Sequence, residues 1–141
     1  MFRRAMNERD MDRMVGLFVN AAERCFEAGF DAVEIHMGHG YLLNQFLSPL
    51  DNQRKDQYGG NAENRARFPA RVLRAVKEAV GVRMAVIAKI TVADGRSKRA
   101  QLEDGIVTAK ILEEAGADML VLSGGRSVES GWFTFGSNMN L

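Results

Sequence analysis

"FEAGFDAVEIH" (residues 26–36) and "EEAGADMLVLS" (residues 113–123) follow one grammar: a helix end, a glycine stop, an aspartate, then an apolar strand. The two copies start 87 residues apart, at 26 and 113, with a further strand and helix between them. Such an echo is the mark of a scaffold built from repeating βα units. Alternating strands and helices imply parallel strands joined by right-handed crossovers.

The reading extends outward from both copies. Asn7 and Asp10 have the spacing of a capping box. Met11, Met14, Val15, Phe18, Ala21, Ala22, Cys25 and Phe26 then recur at helical period. Gly29 suits the left-handed position that closes such a helix. A strand is expected over 31–36, and a long connection follows, in which "SPLDNQRKDQYGG" (48–60) carries turn residues. Helical period returns over 62–80 with Phe68, Val72, Leu73, Val76 and Val80, and Gly81 ends it. "MAVIAKI" (84–90) is nearly all apolar, the pattern of a strand covered on both faces. A helix is expected over 100–115, stopped by Gly116, and a third strand over 118–123. The remaining tail shows no defensible period.

Three strands fit a small doubly wound sheet or part of a (β/α)8 barrel; a complete barrel takes about 250 residues. The chain has 141 residues, 46% hydrophobic and 26% charged, with a net charge of +1. That balance excludes disorder and gives no reason to expect nucleic acid or an anionic membrane as partner. Arg96, Lys98 and Arg99 read as a solvated loop. No apolar run approaches the ~20 residues that span a bilayer. The basic first ten residues lack the apolar segment of a signal peptide. A lone cysteine, Cys25, excludes an internal disulfide and favours a reducing, cytoplasmic setting. Its place on a helix's apolar stripe reads as a buried thiol. The eight methionines read as core filler.

In either architecture ligands gather at the carboxyl ends of the strands. His36, His39 and Tyr41 follow the first strand, Lys89 lies near the end of the second, and Ser123, Gly124 and Gly125 follow the third. These are the chain's only two histidines. A histidine pair offers two N–H donors able to stabilise negative charge growing on one oxygen. Tyr41 adds a phenol, a donor and proton source. A metal site is the competing use; it needs a third ligand, for which Glu34 has the right strand face but lies deeper. No metal is the expectation. Lys89 in an apolar strand calls for an anionic partner, a cofactor to neutralise or a Schiff base, unless it snorkels to solvent. "LSGG" could offer backbone N–H groups to a phosphate or a flat ring, and an ordinary turn fits it equally. In "ENRARF" (63–68), Arg65 or Arg67 is expected to pair with Glu63 or Asp56 and hold the long connection.

Taken whole, "AGFDAVEIHMGHGYLLNQFLSPLDNQRKDQYGGNAENRARF" (28–68) closely resembles the old yellow enzyme family of flavin-dependent ene-reductases. The shared block reads strand, HxxH or HxxN, GYL, QFLSP, N-x-R-x-D-x-YGG and ENR-x-RF, and the likeness extends over residues 7 to about 131. It implies a (β/α)8 barrel holding FMN, with this chain supplying the fourth to sixth strands as one partial domain over 1–141. By the same likeness, His36 and His39 bind the carbonyl of an α,β-unsaturated substrate and Tyr41 protonates its α-carbon. Lys89 takes the place of the basic residue, arginine in many members, that lies against the flavin pyrimidine edge. Ser123 and Gly124 fall where the next strand approaches the cofactor. The implied reaction reduces the C=C bond of an enone or enoate with electrons from NADH or NADPH carried through FMN. The stretches for the family's other strands are missing, including those carrying the main phosphate grip. The resemblance therefore implies a truncated chain with two open sheet edges. Its alternatives are an inactive fragment, a homo-oligomer or half-barrel completed by another chain, and a Schiff-base lyase using Lys89.

Overall fold

In the computed structural model, which describes residues 4–93 and 98–125, helices and strands alternate along the chain. The order is α1 (Glu8–Glu27), β1 (Ala32–Met37), α2 (Leu42–Leu47), α3 (Ala62–Val80), β2 (Ala85–Ala93), α4 (Lys98–Glu114) and β3 (Met119–Gly124). Local chemistry sets the limits. The capping box at α1 is present in both directions: Asn7 Oδ1 accepts from the Asp10 N–H at 3.0 Å, and Asp10 Oδ2 accepts from the Asn7 N–H at 2.9 Å. Gly29 and Gly116, the two stops of the repeated unit, take φ of 86° and 101°, which only glycine adopts without strain.

All three strands run parallel in the order β1-β2-β3. The repeated aspartates stitch both neighbours to the start of β2. The Asp31 carbonyl accepts from the Ala85 N–H at 2.9 Å, while the Asp118 N–H donates to the Val86 carbonyl at 2.9 Å. The Asp118 carboxylate also accepts from the Val86 N–H at 2.7 Å and from Lys77 Nζ at 2.6 Å. Lys77 is the main cause holding that carboxyl below its ordinary value.

The core lies on the helix side of the sheet. Ile35 and Met37 of β1 and Val86, Ala88 and Ile90 of β2 are buried against Phe68, Val72, Leu73, Val76 and Val80 of α3 and Leu112 of α4. Helix α1 packs on α3, and the Phe46 and Phe68 rings meet at 4.5 Å between centroids. Cys25 is half-buried against this core as a free thiol.

The opposite face is different from the expectation for "MAVIAKI". Register matches Glu34 with Ile87 and Met119, His36 with Lys89 and Val121, and Thr91 with Ser123. Matched residues of parallel strands share a face. Along β2, Ile87, Lys89 and Thr91 are only half-buried where Val86, Ala88 and Ile90 are buried. Helices cover one face, so the apolar run reports burial on that side alone.

Two further expectations are corrected. Lys98 and Arg99 stand in the first turn of α4 instead of a loop, while Arg96 and the tail from 126 lie outside the described residues. Neither Glu63 nor Asp56 pairs with Arg65. Its buried guanidinium donates to the Leu47 carbonyl at 2.8 Å, to the Gly60 carbonyl, and to Asp104 of α4 at 2.5 Å. Asp56 is held by Arg54, and Arg67 bonds Asn64. The arginine does fasten the long connection, through backbone carbonyls that a sequence pattern does not point to. Among the described residues, no helix is long and apolar enough to cross a membrane.

Candidate active site

Beyond Met37 the chain leaves β1 through Gly38, where a Cβ would stand 2.9 Å from Thr91 Oγ1. That close approach lets the Thr91 hydroxyl accept the His39 N–H at 2.9 Å. His39 itself has φ 59°, the one non-glycine residue in the left-handed region among those described. Such a conformation persists when its surroundings hold it, and here they do. The Gly40 N–H donates to Asn44 Oδ1 at 2.8 Å, and Gln45 Nε2 donates to the Gly40 carbonyl at 2.9 Å, so α2 clamps the loop from beyond.

This loop turns the His39 ring over the open face of the sheet. Its centroid lies 5.0 Å from that of His36, and the Tyr41 ring centroid lies 5.4 Å from that of His36. His39 Nε2 is 2.8 Å from Ser123 Oγ at the end of β3. Lys89 is beside His36 in register, with its amine 4.0 Å from Glu34 Oε1, a long ion pair. His36, His39, Tyr41, Lys89 and Ser123 therefore gather on one face, at the carboxyl ends of the strands. Gly124 is buried at the same end, with its backbone hydrogen-bonded to the His39 ring. Tyr41 remains half exposed.

Burial, with help from neighbouring charge, favours the neutral form of both imidazoles. Burial pushes the His36 ring below the ordinary histidine value, and the neighbouring His39 and Lys89 push it further while Glu34 opposes them. His39 is lowered by burial first and by Lys89 second; the Gly124 backbone and Glu34 resist. A neutral imidazole keeps one N–H donor and one acceptor nitrogen. The pair can thus offer two donors to one oxygen without carrying charge into the site. No group of three or more His, Cys, Asp or Glu side chains suited to a metal occurs among the described residues.

Thr91, Asn44 and Gln45 were not anticipated from the sequence. Thr91 had a usable signal, since it follows Lys89 by two residues and so shares its strand face. The roles of Asn44 and Gln45 depend on how α2 folds back on the loop, which no spacing announces.

Comparison with known proteins adds independent information. A sequence profile described as the NADH:flavin oxidoreductase / NADH oxidase family matches residues 1–131. The chain is 41% identical over 133 residues to a 4,4'-dithiodibutanoate disulfide reductase of Rhodococcus erythropolis, covering 94% of this chain and 33% of that protein. It is also 41% identical over 123 residues to an NADPH dehydrogenase of Geobacillus sp. (strain WCH70), covering 87% of this chain and 36% of the relative. The solved structure of the old yellow enzyme homologue from Zymomonas mobilis superposes with a TM-score of 0.77 at 29% identity, over 88% of this chain and 36% of that one. The chain spans about a third of the length of these two curated relatives, at 33% and 36%.

Proposed function

Because this chain belongs to the NADH:flavin oxidoreductase / NADH oxidase family, the old yellow enzymes, we propose that its open sheet face is the substrate side of an ene-reductase site. The substrates in this reading are α,β-unsaturated carbonyl compounds. Family membership implies FMN as cofactor and NADH or NADPH as electron donor.

The residues present fit that cofactor. Lys89 has three N–H donors and, among the described residues, a single long ion pair to Glu34, which leaves donors for the electron-rich carbonyl edge of a flavin. Gly124 and Gly125 at the end of β3 leave the approach free of side chains for a flat ring. Lys89, Ser123 and Gly124 would hold FMN from this side. When bound, FMN supplies the hydride equivalent that amino-acid side chains lack.

The protein's part is to bind and polarise the substrate. His36 and His39 would both donate to the carbonyl oxygen and stabilise the negative charge that develops there as the double bond is reduced. Tyr41, beside His36 and open to solvent on its far side, would deliver a proton to the α-carbon. The single observation carrying this reading is the pair of imidazole rings 5.0 Å apart on the face shared with Lys89. To test it, FMN is added to the purified chain and NADPH oxidation is followed with and without cyclohexenone. Enone-dependent oxidation should appear and should fall about a hundredfold in His36→Ala and in His39→Ala. FMN retention without any enone-dependent oxidation overturns the proposal. The unpaired thiol of Cys25 and the use of NAD(P)H support a cytoplasmic setting.

One observation favours a second reading, in which this single partial domain works as an assembly. Among the described residues, β1 and β3 each pair on one edge alone, and an unpaired edge is a template for another strand. Self-association or completion by another chain would then build the rest of the cofactor site. A monomer by sedimentation that retains FMN overturns this version. A Schiff-base role for Lys89 has no observation in its favour, since Glu34 faces the amine.

A further inference from the structure

The contact between His39 and Ser123 has a use beyond anchoring. The backbone at His39 is fixed three ways: by the Thr91 hydroxyl at 2.9 Å, by α2 through Gly40, and by a left-handed φ that the tight Gly38 approach to Thr91 enforces. The backbone carrying the ring is thereby held beside the end of β3. Its Nε2 meets Ser123 Oγ at 2.8 Å, the separation at which an imidazole N–H would meet a substrate oxygen. Ser123 carries its hydroxyl on a single side-chain torsion and is half-buried, so rotation about that one bond withdraws Oγ from the ring without moving the strand.

We propose that Ser123 Oγ stands in for the substrate's carbonyl oxygen on His39 Nε2 in the free site and is displaced when substrate binds. This deepens the ene-reductase reading and rests on it. In the tautomer that carries the proton on Nε2, Ser123 is then a specificity determinant: an entering ligand must offer an oxygen that is a better acceptor than a serine hydroxyl, and weak acceptors are excluded. An anionic or strongly polarised carbonyl oxygen meets that demand because hydrogen bonds to charged acceptors are the stronger ones.

The test uses cyclohexenone titrated into the whole chain, without and with FMN, following the His39 ring by NMR. Removing the competitor in Ser123→Ala should tighten binding about fivefold, the value of one ordinary hydrogen bond of about 1 kcal/mol. Ser123→Thr, which keeps the hydroxyl, should bind as the parent does. The free-state His39 resonance should shift in Ser123→Ala, while the ligand-bound resonances of parent and variant should coincide. A purely structural role for Ser123 predicts weaker binding in the alanine variant, and that result, or unchanged affinity, overturns the inference while leaving the ene-reductase reading intact. Failure of both parent and variant to bind the enone removes the ene-reductase reading and this inference with it.

Discussion

His39 is a non-glycine residue at φ 59°, in a region where asparagine is the best tolerated side chain after glycine and β-branched residues fit worst. His39→Asn should therefore leave stability within about 0.5 kcal/mol, whereas His39→Val should cost about 2 kcal/mol, both read by urea unfolding. Protonation of the two imidazoles supplies a second prediction at this scale. Their folded values lie below the ordinary 6.5, chiefly through burial, so the unfolded chain binds protons first as pH falls. Stability should decline as pH drops from about 7 through 6.5 and level off once the folded rings are protonated as well. A His36→Asn, His39→Asn double variant should lose most of that slope between pH 7 and 5. NMR midpoints for both rings at or above 6.5 would contradict the argument. The position of both histidines was legible in the sequence, because a strand end fixes where its next residues go. The identity of their partners, Thr91 and Ser123, was not. They are 52 and 84 residues away along the chain.

At the scale of elements, the long connection between α2 and α3 is irregular yet closely specified by side-chain hydrogen bonds. Asn52 Nδ2 donates to the Phe46 carbonyl at 2.7 Å and to the Tyr58 carbonyl at 2.6 Å from a buried position. Arg65 holds two more carbonyls and ties the segment to α4. Replacing Arg65 with methionine strands these acceptors and leaves Asp104 without its partner, so it should cost about 3 kcal/mol in denaturant unfolding. Gly59 is held as strictly by space. A Cβ there would fall 2.2 Å from the Arg54 carbonyl oxygen, which is backbone and cannot step aside. Gly59→Ala should destabilise by at least about 2 kcal/mol. By contrast Asn7→Ala, which removes one half of the α1 capping box, should cost only about 1 kcal/mol. Helix limits were readable in advance because caps and glycine stops act within one turn. The arginine's partners were misassigned because an ionic rule of nearby opposite charges ignores carbonyls and a helix folded alongside.

For the whole molecule, β2 is the structural centre, paired on both sides and stitched at its start by Asp31 and Asp118. Its helix side is a closed core, and its other face carries Glu34, His36, Lys89, Thr91 and Ser123 partly open. Polar residues on such a face are stable only while water or a ligand satisfies them. Among the described residues the outer edges of β1 and β3 are unpaired, and the assembly proposed above requires sedimentation to show the mean mass rising with concentration. FMN, if held mainly through Lys89 from this side, should be retained less by Lys89→Met than by the parent chain, measured by absorbance after gel filtration.

Sequence alone was not enough for α2, the far end of β2 or the first turn of α4, but it was enough for the alternation of the three strands with α1, α3 and α4, for most of their limits and for the gathering of the candidate residues at one edge. Each of those follows from chemistry acting within a few residues: caps, stops, and the two- and 3.6-residue periods. Tertiary structure decided which face of β2 is covered, that Glu34 meets Lys89, that Thr91 and Ser123 hold His39, and that Arg65 serves backbone carbonyls. Those outcomes depend on which distant elements pack together, and a short hydrogen bond or a buried face exists only once that packing has brought the groups within a few ångströms.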